Sequence, residues 1–400
     1  MAHCNQGLLA SVMKETERLG YLDSIRGVAA MTVVLSHCWL VKPINYSDPH
    51  GQLSTGLTSF SNLFSYVLIK YFECGRSAVI TFFVLSGFVL AQSLLKQQTP
   101  YTGYAIKRVF RIYPAFLLII ITTYVLHFII GDQYDSNSEY VRKLNNPDLS
   151  FATLIKHLIM YGTKGGMGLN FVVWTLVYEM RISLIFPLIL HSVSKYRWRS
   201  IAVYLLLSIV CTGCLFLTTG SVASGRDEVT FLQTLFTTGY FVIFFAGGAF
   251  LAIEREEVAR KVARLSRWKK IVILVIVILC FLKSDYSNFS LKFNVVDYAR
   301  GLSAIALIAL ALGTRKISNV LNHGVLVWLG RISYSLYLVH LPILYVIIQT
   351  VGASWSPIAI GIATIALSLL AAELMARTIE FPFISLGKKL CAKLAYARPA

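Results

Sequence analysis

The chain has 400 residues, of which 56% are hydrophobic and 14% charged, and its mean hydropathy of +0.66 excludes a soluble globular protein with a polar surface. Its formal net charge of +18 does not indicate nucleic acid as a partner, because the basic residues concentrate in alternate loops between apolar segments. This alternation follows the positive-inside rule. It places both termini in the cytoplasm and predicts attraction to anionic lipid.

Apolar segments long enough to cross a bilayer core of about 30 Å recur along the whole chain. We predict ten spans, at residues 22–42, 75–95, 112–131, 172–191, 200–219, 231–253, 270–283, 297–313, 325–350 and 357–379. Two shorter half-apolar segments, Asn62–Phe72 and Phe151–Met160, are interpreted as interfacial or re-entrant. The predicted fold is an all-α polytopic membrane protein, a bundle of about ten transmembrane helices with one or two interfacial or re-entrant segments.

The composition indicates one membrane domain with short flanking segments. Residues 1–20 are expected to form a cytoplasmic N-terminal segment, residues 21–386 the membrane domain, and residues 387–400 a basic cytoplasmic tail. No small-residue cleavage site follows the first apolar segment, so this segment is predicted to be a retained helix. The seven cysteines do not cluster with the spacing of metal ligands, and we expect no metal site.

The first apolar segment contains two ionisable residues, Arg26 and His37, which are eleven positions apart. Eleven residues make about three helical turns, so both side chains lie on nearly the same face, about 16 Å apart along the helix axis. Such groups in a spanning helix suggest a functional site, because they must face a protein interior or a wet cavity. The alternative is an interfacial arginine that snorkels and a histidine that is hydrogen-bonded to a neighbouring helix.

The next two segments add three arginines. Arg76 lies at the outer end of the second segment, where it is expected to snorkel, while Ser86-Gly87 allows another backbone to approach closely. Arg108 and Arg111 precede the third span with the i,i+3 spacing of helical neighbours. Two guanidinium groups at that position can bind phosphate bidentately. The alternative is a positive-inside anchor without a ligand.

The fourth segment places Glu179 and Arg181 inside an apolar helix, which is energetically expensive. Because they are two positions apart, their side chains point to opposite sides and each needs a partner elsewhere. The available candidates for that partner are Arg26, His37 and Arg300. A functional cavity is favoured here over a purely structural ion pair.

Two further groups lie in the C-terminal third of the chain. Asp297 and Arg300 have i,i+3 spacing, and a local salt bridge explains them adequately. His340 follows serine and tyrosine hydroxyls at helical spacing, so a hydrogen-bond network is the alternative to a functional role.

Taken together, these segments resemble the acyltransferase 3 family of integral-membrane O-acyltransferases, from Tyr21 to about Leu386. The likeness rests on six motifs in the family's order: Leu22–Gly27 with His37, Gly75-Arg76 with Phe82–Phe88, Arg108–Pro114, Trp174–Leu176 with Glu179, Ile332–Leu338 with His340, and Arg377–Pro382. Each motif is weak alone, and their order and spacing over the whole chain make the resemblance specific. The segment Gly131–Asn170 has no counterpart to which we assign a role.

The resemblance implies transfer of an acyl group, commonly acetyl, from a cytoplasmic coenzyme A thioester to a hydroxyl. The acceptors it implies are sugars of surface polysaccharides, lipopolysaccharide or peptidoglycan, and sometimes lipids or macrolides. Acyl-CoA would be a co-substrate, with no tightly bound cofactor, and a carbohydrate or lipid-linked sugar would be the acceptor. We expect a stand-alone member without an extracellular esterase-like domain, acting in the membrane bundle or with a separate partner protein.

Acyl transfer to a hydroxyl needs a base, stabilisation of an oxyanion and a binding site for the donor. We assign His37 as the base, with Glu179 as its orienting partner or as an acceptor-binding group. Arg26 would hold the thioester end of the donor or the oxyanion. Arg108 and Arg111 would together hold the coenzyme A phosphates. The secondary candidates are Arg76, Arg181 and His340.

The competing interpretation is a transporter or flippase whose intramembrane charges bind a solute. Polar groups inside apolar segments suit that function as well. Transfer of label from a thioester to an acceptor separates the two classes of protein.

Overall fold

The computed structural model describes residues 2–41, 74–96, 100–131, 134, 138–145, 147–162, 168–219, 230–282 and 292–396. Within these ranges the chain is helical and contains no strand, which confirms the predicted all-α polytopic class. The predicted interfacial segment Asn62–Phe72 lies outside the described residues. The second one, Phe151–Met160, contains a single short helix.

The described residues form sixteen α-helices. In chain order they are α1 (Ala2–Trp39), α2 (Gly75–Lys96), α3 (Tyr101–Ile130), α4 (Glu139–Asn145), α5 (Phe151–Leu158), α6 (Trp174–Tyr196), α7 (Trp198–Thr219), α8 (Phe231–Ile253), α9 (Arg255–Ala263), α10 (Arg267–Phe281), α11 (Lys292–Gly313), α12 (Arg315–Leu321), α13 (Gly324–Arg331), α14 (Ser333–Val351), α15 (Pro357–Met375) and α16 (Phe381–Tyr396). A π-helical turn, Ala376–Glu380, joins α15 to α16 without interrupting the helix.

By length and composition, eight helices of the described part can cross a membrane, and each coincides with a predicted span. The first predicted span lies in α1, where polar residues such as Asp23 and Arg26 lower the hydropathy. The seventh coincides with α10, whose 15 residues extend only about 22 Å. The ninth, residues 325–350, is broken at Ile332 into the short α13 and the longer α14.

Local sequence signals explain where several helices begin. Thr230 caps α8 through a capping box, in which its hydroxyl accepts from the Gln233 backbone and the Gln233 side chain accepts from the Thr230 backbone. Ser356 caps α15, whose first residue is Pro357. These caps satisfy backbone N–H groups that have no partner inside the helix.

The connections between α2 and α3, α6 and α7, and α8 and α9 meet at one end of the bundle. Arg197 forms an ion pair with Glu254 there, and Lys96 shares a polar crevice with Arg255 and Arg260. We call this the basic end, and the other the opposite end. The charge pattern of the sequence thus corresponds to one face of the molecule.

Two glycine contacts bring α1 and α13 together at their backbones. A Cβ atom on Gly27 would lie 2.5 Å from the Gly330 nitrogen, and one on Gly330 would lie 2.0 Å from the Asp23 carbonyl oxygen. Such contacts are possible only for glycine, because any side chain would push the helices apart. This crossing fixes Arg26, the neighbour of Gly27, beside the start of α14.

A second close crossing joins α2 and α8. Cβ atoms on Gly87 and Gly248 would lie 2.1 Å and 2.0 Å from the carbonyl oxygens of Phe245 and Val84, respectively. The predicted close approach at Ser86-Gly87 is therefore confirmed. Because Gly87 faces α8, the adjacent Ser86 is free to face a cavity on the other side of α2.

In the described part, the buried apolar residues form two clusters. One surrounds α2, α6, α8 and α11, where Phe83 packs against Phe241 and Phe245 with ring centroids 4.7 and 5.5 Å apart. The other surrounds α1, α3, α14 and α15. The candidate site lies along the seam between the two clusters.

The last helix, α16, folds along the first part of α3. A Cβ atom on Gly387 would lie 2.7 Å from the Cβ of Phe110, and the Cys391 thiol donates to the Gly103 carbonyl at 3.1 Å. Residues that the sequence analysis assigned to a tail are thus part of a helix that packs on the bundle, as far as Tyr396.

Candidate active site

A cavity of about 620 Å³ opens at the basic end and extends into the seam. This volume is within the usual range for pockets that bind small molecules or cofactors. Its walls come from α1, α2, α3, α6, α14 and α16. The polar groups that the sequence singled out in four separate motifs meet here: Arg26, Ser86, Arg108, Arg111 and Glu179.

The cavity is positively charged. Five basic side chains line it, against the two carboxylates of Asp23 and Glu179. The basic residues are Arg26, Lys107, Arg108, Arg111 and Lys388. This excess of positive charge predicts an anionic ligand.

The three arginines differ in how far the protein already neutralises them. Arg26 turns back toward Asp23, with Nη1 3.2 Å from Oδ1. Arg111 lies 3.8 Å from Glu380, too far for a hydrogen bond. The Arg108 guanidinium has no ion pair or hydrogen bond within the part of the chain that the structure describes. Its donors are therefore available to a ligand.

Glu380 was missed as a site residue, although it belongs to the last motif of the resemblance. Its carboxylate is buried and accepts a hydrogen bond from the Ser335 hydroxyl at 2.8 Å. The π-turn places it behind Arg111, and such turns are frequent at functional sites. Glu380 therefore connects α14 and α3 at the wall of the cavity.

Glu179 faces the cavity from α6. Its Oε1 accepts a hydrogen bond from the Ser86 hydroxyl at 3.1 Å. One turn earlier on the same helix, Thr175 shares a hydrogen bond with the Tyr337 hydroxyl at 2.8 Å. Tyr337 also donates to the Val172 carbonyl at 2.9 Å, and this layer forms the inner end of the cavity.

An imidazole pair lies beyond that layer. His37 Nδ1 and His340 Nε2 are 2.8 Å apart, and the two rings meet edge to edge with nearly parallel planes, their centroids 5.1 Å apart. His340 Nδ1 lies 3.2 Å from the Leu336 carbonyl oxygen, which can only accept. In the neutral pair, His340 Nε2 must therefore accept from His37 Nδ1–H. This leaves the lone pair of His37 on Nε2, as a general base requires.

The predicted pairing of Glu179 with His37 is not present. Glu179 lies on the cavity side of Tyr337, where its hydrogen bond is to Ser86, and His37 pairs with His340 instead. Glu179 is thus a cavity-lining group and not the group that orients the imidazole. His340 forms hydrogen bonds with His37 and the Leu336 carbonyl, whereas the neighbouring hydroxyls of Ser335 and Tyr337 bond to Glu380 and Val172.

The described part of the segment Gly131–Asn170, which had no assigned role, contributes Tyr140 to the surroundings of the imidazole pair, and Phe171, the next residue after the segment, adds a second ring. Tyr140 of α4 stacks on His37 with ring centroids 5.8 Å apart, and Phe171 meets it edge-on at 6.0 Å. Asn145 anchors the segment, because its side-chain oxygen accepts from Gln349 of α14 at 2.7 Å. The aromatic groups exclude lipid from the imidazoles.

Arg76 does not snorkel, contrary to the sequence-based expectation. Its guanidinium donates to both carboxylate oxygens of the buried Asp297, with Nη2 2.6 Å from Oδ2 and Nε 3.2 Å from Oδ1. Asp297 also accepts from Arg300 at 2.9 Å, which confirms the predicted local salt bridge, and from Tyr240 at 2.9 Å. None of the residues of this cluster lines the cavity. It holds α2, α8 and α11 together.

Arg181 also lies outside the cavity, on the other side of α6 from Glu179, as the spacing predicted. It donates to the Thr234 hydroxyl at 2.9 Å and the Tyr161 carbonyl at 2.7 Å, with Phe231 beneath its guanidinium at 5.1 Å. These contacts attach the loop after α5 to α8. The contacts of Arg181 thus hold neighbouring elements together and involve no group that lines the cavity.

The described residues contain no group of three or more His, Cys, Asp or Glu side chains that could hold a metal ion. The residues that sequence reasoning missed are Lys107, Tyr334, Tyr337, Glu380 and Lys388. A signal existed for the two tyrosines, since their hydroxyls precede His340 at helical spacing. The two lysines gave no indication of a site, because they were interpreted as part of the charge pattern that orients the protein in the membrane.

Comparison with known proteins agrees with this architecture. The acyltransferase 3 family model, described as an acyltransferase domain, matches residues 19–377. A Staphylococcus aureus (strain COL) protein named "Putative O-acetyltransferase" is 27% identical over 350 residues, covering 79% of this chain and 54% of that protein. The O-acetyltransferase OatA of S. aureus (strain NCTC 8325 / PS 47) is 26% identical over 354 residues, covering 81% and 55%.

The chain spans about half the length of the curated relatives it matches. No solved structure matches it. The family model nevertheless covers nearly the whole described bundle, including the cavity arginines, Glu179 and both imidazoles. The chain therefore belongs to the acyltransferase 3 family, as the motifs of its sequence predicted.

Proposed function

We propose that this chain is a membrane O-acyltransferase that moves an acyl group, with acetyl the first to test, from a cytoplasmic acyl-CoA to a hydroxyl of a cell-surface glycan or glycolipid. The chief supporting observation is the positively charged cavity, whose inner end lies next to the hydrogen-bonded imidazole pair. In this proposal the basic end faces the cytoplasm, in keeping with the positive-inside rule.

The donor enters from the basic end. Its phosphates bind Arg108 and Arg111, because guanidinium groups suit bidentate contact with phosphate oxygens. The pantetheine arm runs inward between the apolar walls formed by residues such as Phe82 and Leu176. The thioester then lies beside Thr175 and Tyr337.

Arg26 is assigned to the donor and not to the oxyanion. It lies about 16 Å from His37 along α1, and its side chain turns toward Asp23, away from the imidazole. One thioester carbonyl cannot contact both groups. We therefore place Arg26 next to the polar part of the donor that follows the phosphates.

The acceptor hydroxyl meets the thioester at the inner end. Its oxygen attacks the thioester carbon, and His37 Nε2 takes the hydroxyl proton. The tetrahedral intermediate collapses with cleavage of the carbon–sulfur bond, and the coenzyme A thiolate receives the proton from the imidazolium. His340 holds the His37 ring in position and in the required tautomer.

The test is incubation of the reconstituted chain with acetyl-CoA labelled in the acetyl group and with cell-envelope glycan fractions. We expect label on the glycan and release of free coenzyme A thiol, both abolished in His37→Ala. The matched control is His191→Ala, which removes an exposed histidine at the basic end. Movement of label or glycan across the membrane without thiol release would instead support a transporter.

A further inference from the structure

The C-terminal helix forms part of the cavity wall, although its basic residues read as a separate tail in the sequence. α16 lies against α3 through the contact of Gly387 with Phe110 and the bond from Cys391 to the Gly103 carbonyl. Phe383 packs on Phe110 as well, with ring centroids 6.4 Å apart. These contacts fix both the position and the rotation of the helix.

Because of this rotation, one of the three lysines of α16 lines the cavity and the other two do not. Ile384 and Lys388 are four residues apart on one face of α16, and both line the cavity. Lys389 and Lys393, which lie on other faces of the helix, are exposed and do not line it. Lys388 stands at the rim together with Lys107 of α3. Neither of these two lysines pairs with a carboxylate among the described residues.

The cations form a sequence from the inner end of the cavity to its rim. Arg111 and Arg108, both partly buried, follow one another along α3 toward its start at the basic end, and Lys388 is the exposed member of the set. In a coenzyme A thioester the phosphates lie in a similar order. The pyrophosphate adjoins the pantetheine arm, and the 3′-phosphate of the ribose is at the end remote from the thioester.

We propose that Lys388 binds the ribose 3′-phosphate of the donor and so makes this chain select coenzyme A thioesters over their 3′-dephospho analogues. The inference rests on the proposed function, since it needs an acyl-CoA donor in the cavity. A lysine suits this position because its ammonium is a compact charge that can follow a solvent-exposed phosphate monoester. Arginines deeper in the cavity suit the pyrophosphate.

The test is a direct binding measurement on the purified full chain in detergent, with coenzyme A and 3′-dephospho-coenzyme A as the two probes. We expect the unmodified chain to prefer coenzyme A. Lys388→Gln should weaken coenzyme A binding about three- to tenfold and leave the affinity for the dephospho compound unchanged. Lys389→Gln, the same change on the next residue, should behave as the unmodified chain.

Equal weakening for both probes in Lys388→Gln, or no weakening for either, would overturn the assignment while leaving the donor proposal intact. An unmodified chain that binds neither probe would refute the acyl-CoA donor and this inference with it. A thermal melting curve of each variant checks the fold, and unchanged melting is expected because both lysines are exposed.

Discussion

Arg108 offers the sharpest test of how the donor is held. The change is Arg108→Gln, which keeps a polar side chain of similar width and removes the charge. Arg108 lines the cavity without an ion pair or hydrogen bond to any described residue. Its loss therefore leaves no buried carboxylate unpaired, and the variant should fold.

The expected effect follows from the contact that the change removes. A hydrogen bond to a charged group contributes about 1.5–3 kcal/mol, which corresponds to about 10- to 150-fold in affinity. The phosphates do not react, so the contact is equally strong in the bound donor and in the transition state. The Michaelis constant KM for acetyl-CoA should therefore rise by this factor with little change in kcat.

The assay is steady-state transfer from acetyl-CoA with the reconstituted chain, and Arg181→Gln is the control. Arg181 is an arginine of the same bundle that bonds Thr234 and Tyr161 outside the cavity, so its loss should not change KM. Arg111→Gln should raise KM too, but it should also lower the melting temperature because Glu380 loses its ion-pair partner. An unchanged KM in Arg108→Gln would refute the donor site.

Three further changes test the imidazole pair and the framework around it. His340→Phe should lower kcat at least about tenfold with KM unchanged in the same assay, because the base loses its orienting partner; an unaltered kcat would contradict the pairing. Gly330→Ala should destabilise the bundle by about 1–3 kcal/mol, measured by thermal melting. Gly213→Ala should not, because a Cβ atom added there would meet no neighbouring group within 4 Å. Asp297→Asn should cost about 3–5 kcal/mol, since it removes the buried carboxylate that both Arg76 and Arg300 contact; a melting temperature equal to that of the parent would argue against this.

The sequence predicted the fold class and much of the cavity because both depend on short-range patterns. Hydropathy over about 20 residues locates a spanning helix. The spacing of Arg108 and Arg111, or of Glu179 and Arg181, shows which side chains share a helix face. A buried charge also signals that a polar environment must exist.

The pairings between distant helices could not be predicted in this way. His37 and His340 are separated by 303 positions, and Arg76 and Asp297 by 221. Helix periodicity gives the direction of each side chain relative to its own axis but not which helix lies opposite. The snorkelling predicted for Arg76 was wrong for that reason, since the sequence did not place the Asp297 carboxylate next to it.

The broken ninth span has a similar explanation. Residues 325–350 are apolar throughout, and hydropathy does not distinguish one long helix from a short helix followed by a longer one. The break at Ile332 lies two residues after Gly330, whose close contact with the Asp23 backbone is a property of the folded pair of helices.

The π-turn between α15 and α16 adds a residue to the helix and so determines which side of α16 each later residue faces. Removing one residue, such as the exposed Thr378, would advance the following sequence by one position, or about 100° around the helix. If α16 kept its place on α3, Lys389 would then occupy the rim, and Lys388 would occupy the site of Gly387, where a Cβ atom comes within 2.7 Å of Phe110. The deletion would keep a cation at the entrance and yet abolish the fit of the helix, so the extra residue is needed for packing and for charge placement at once.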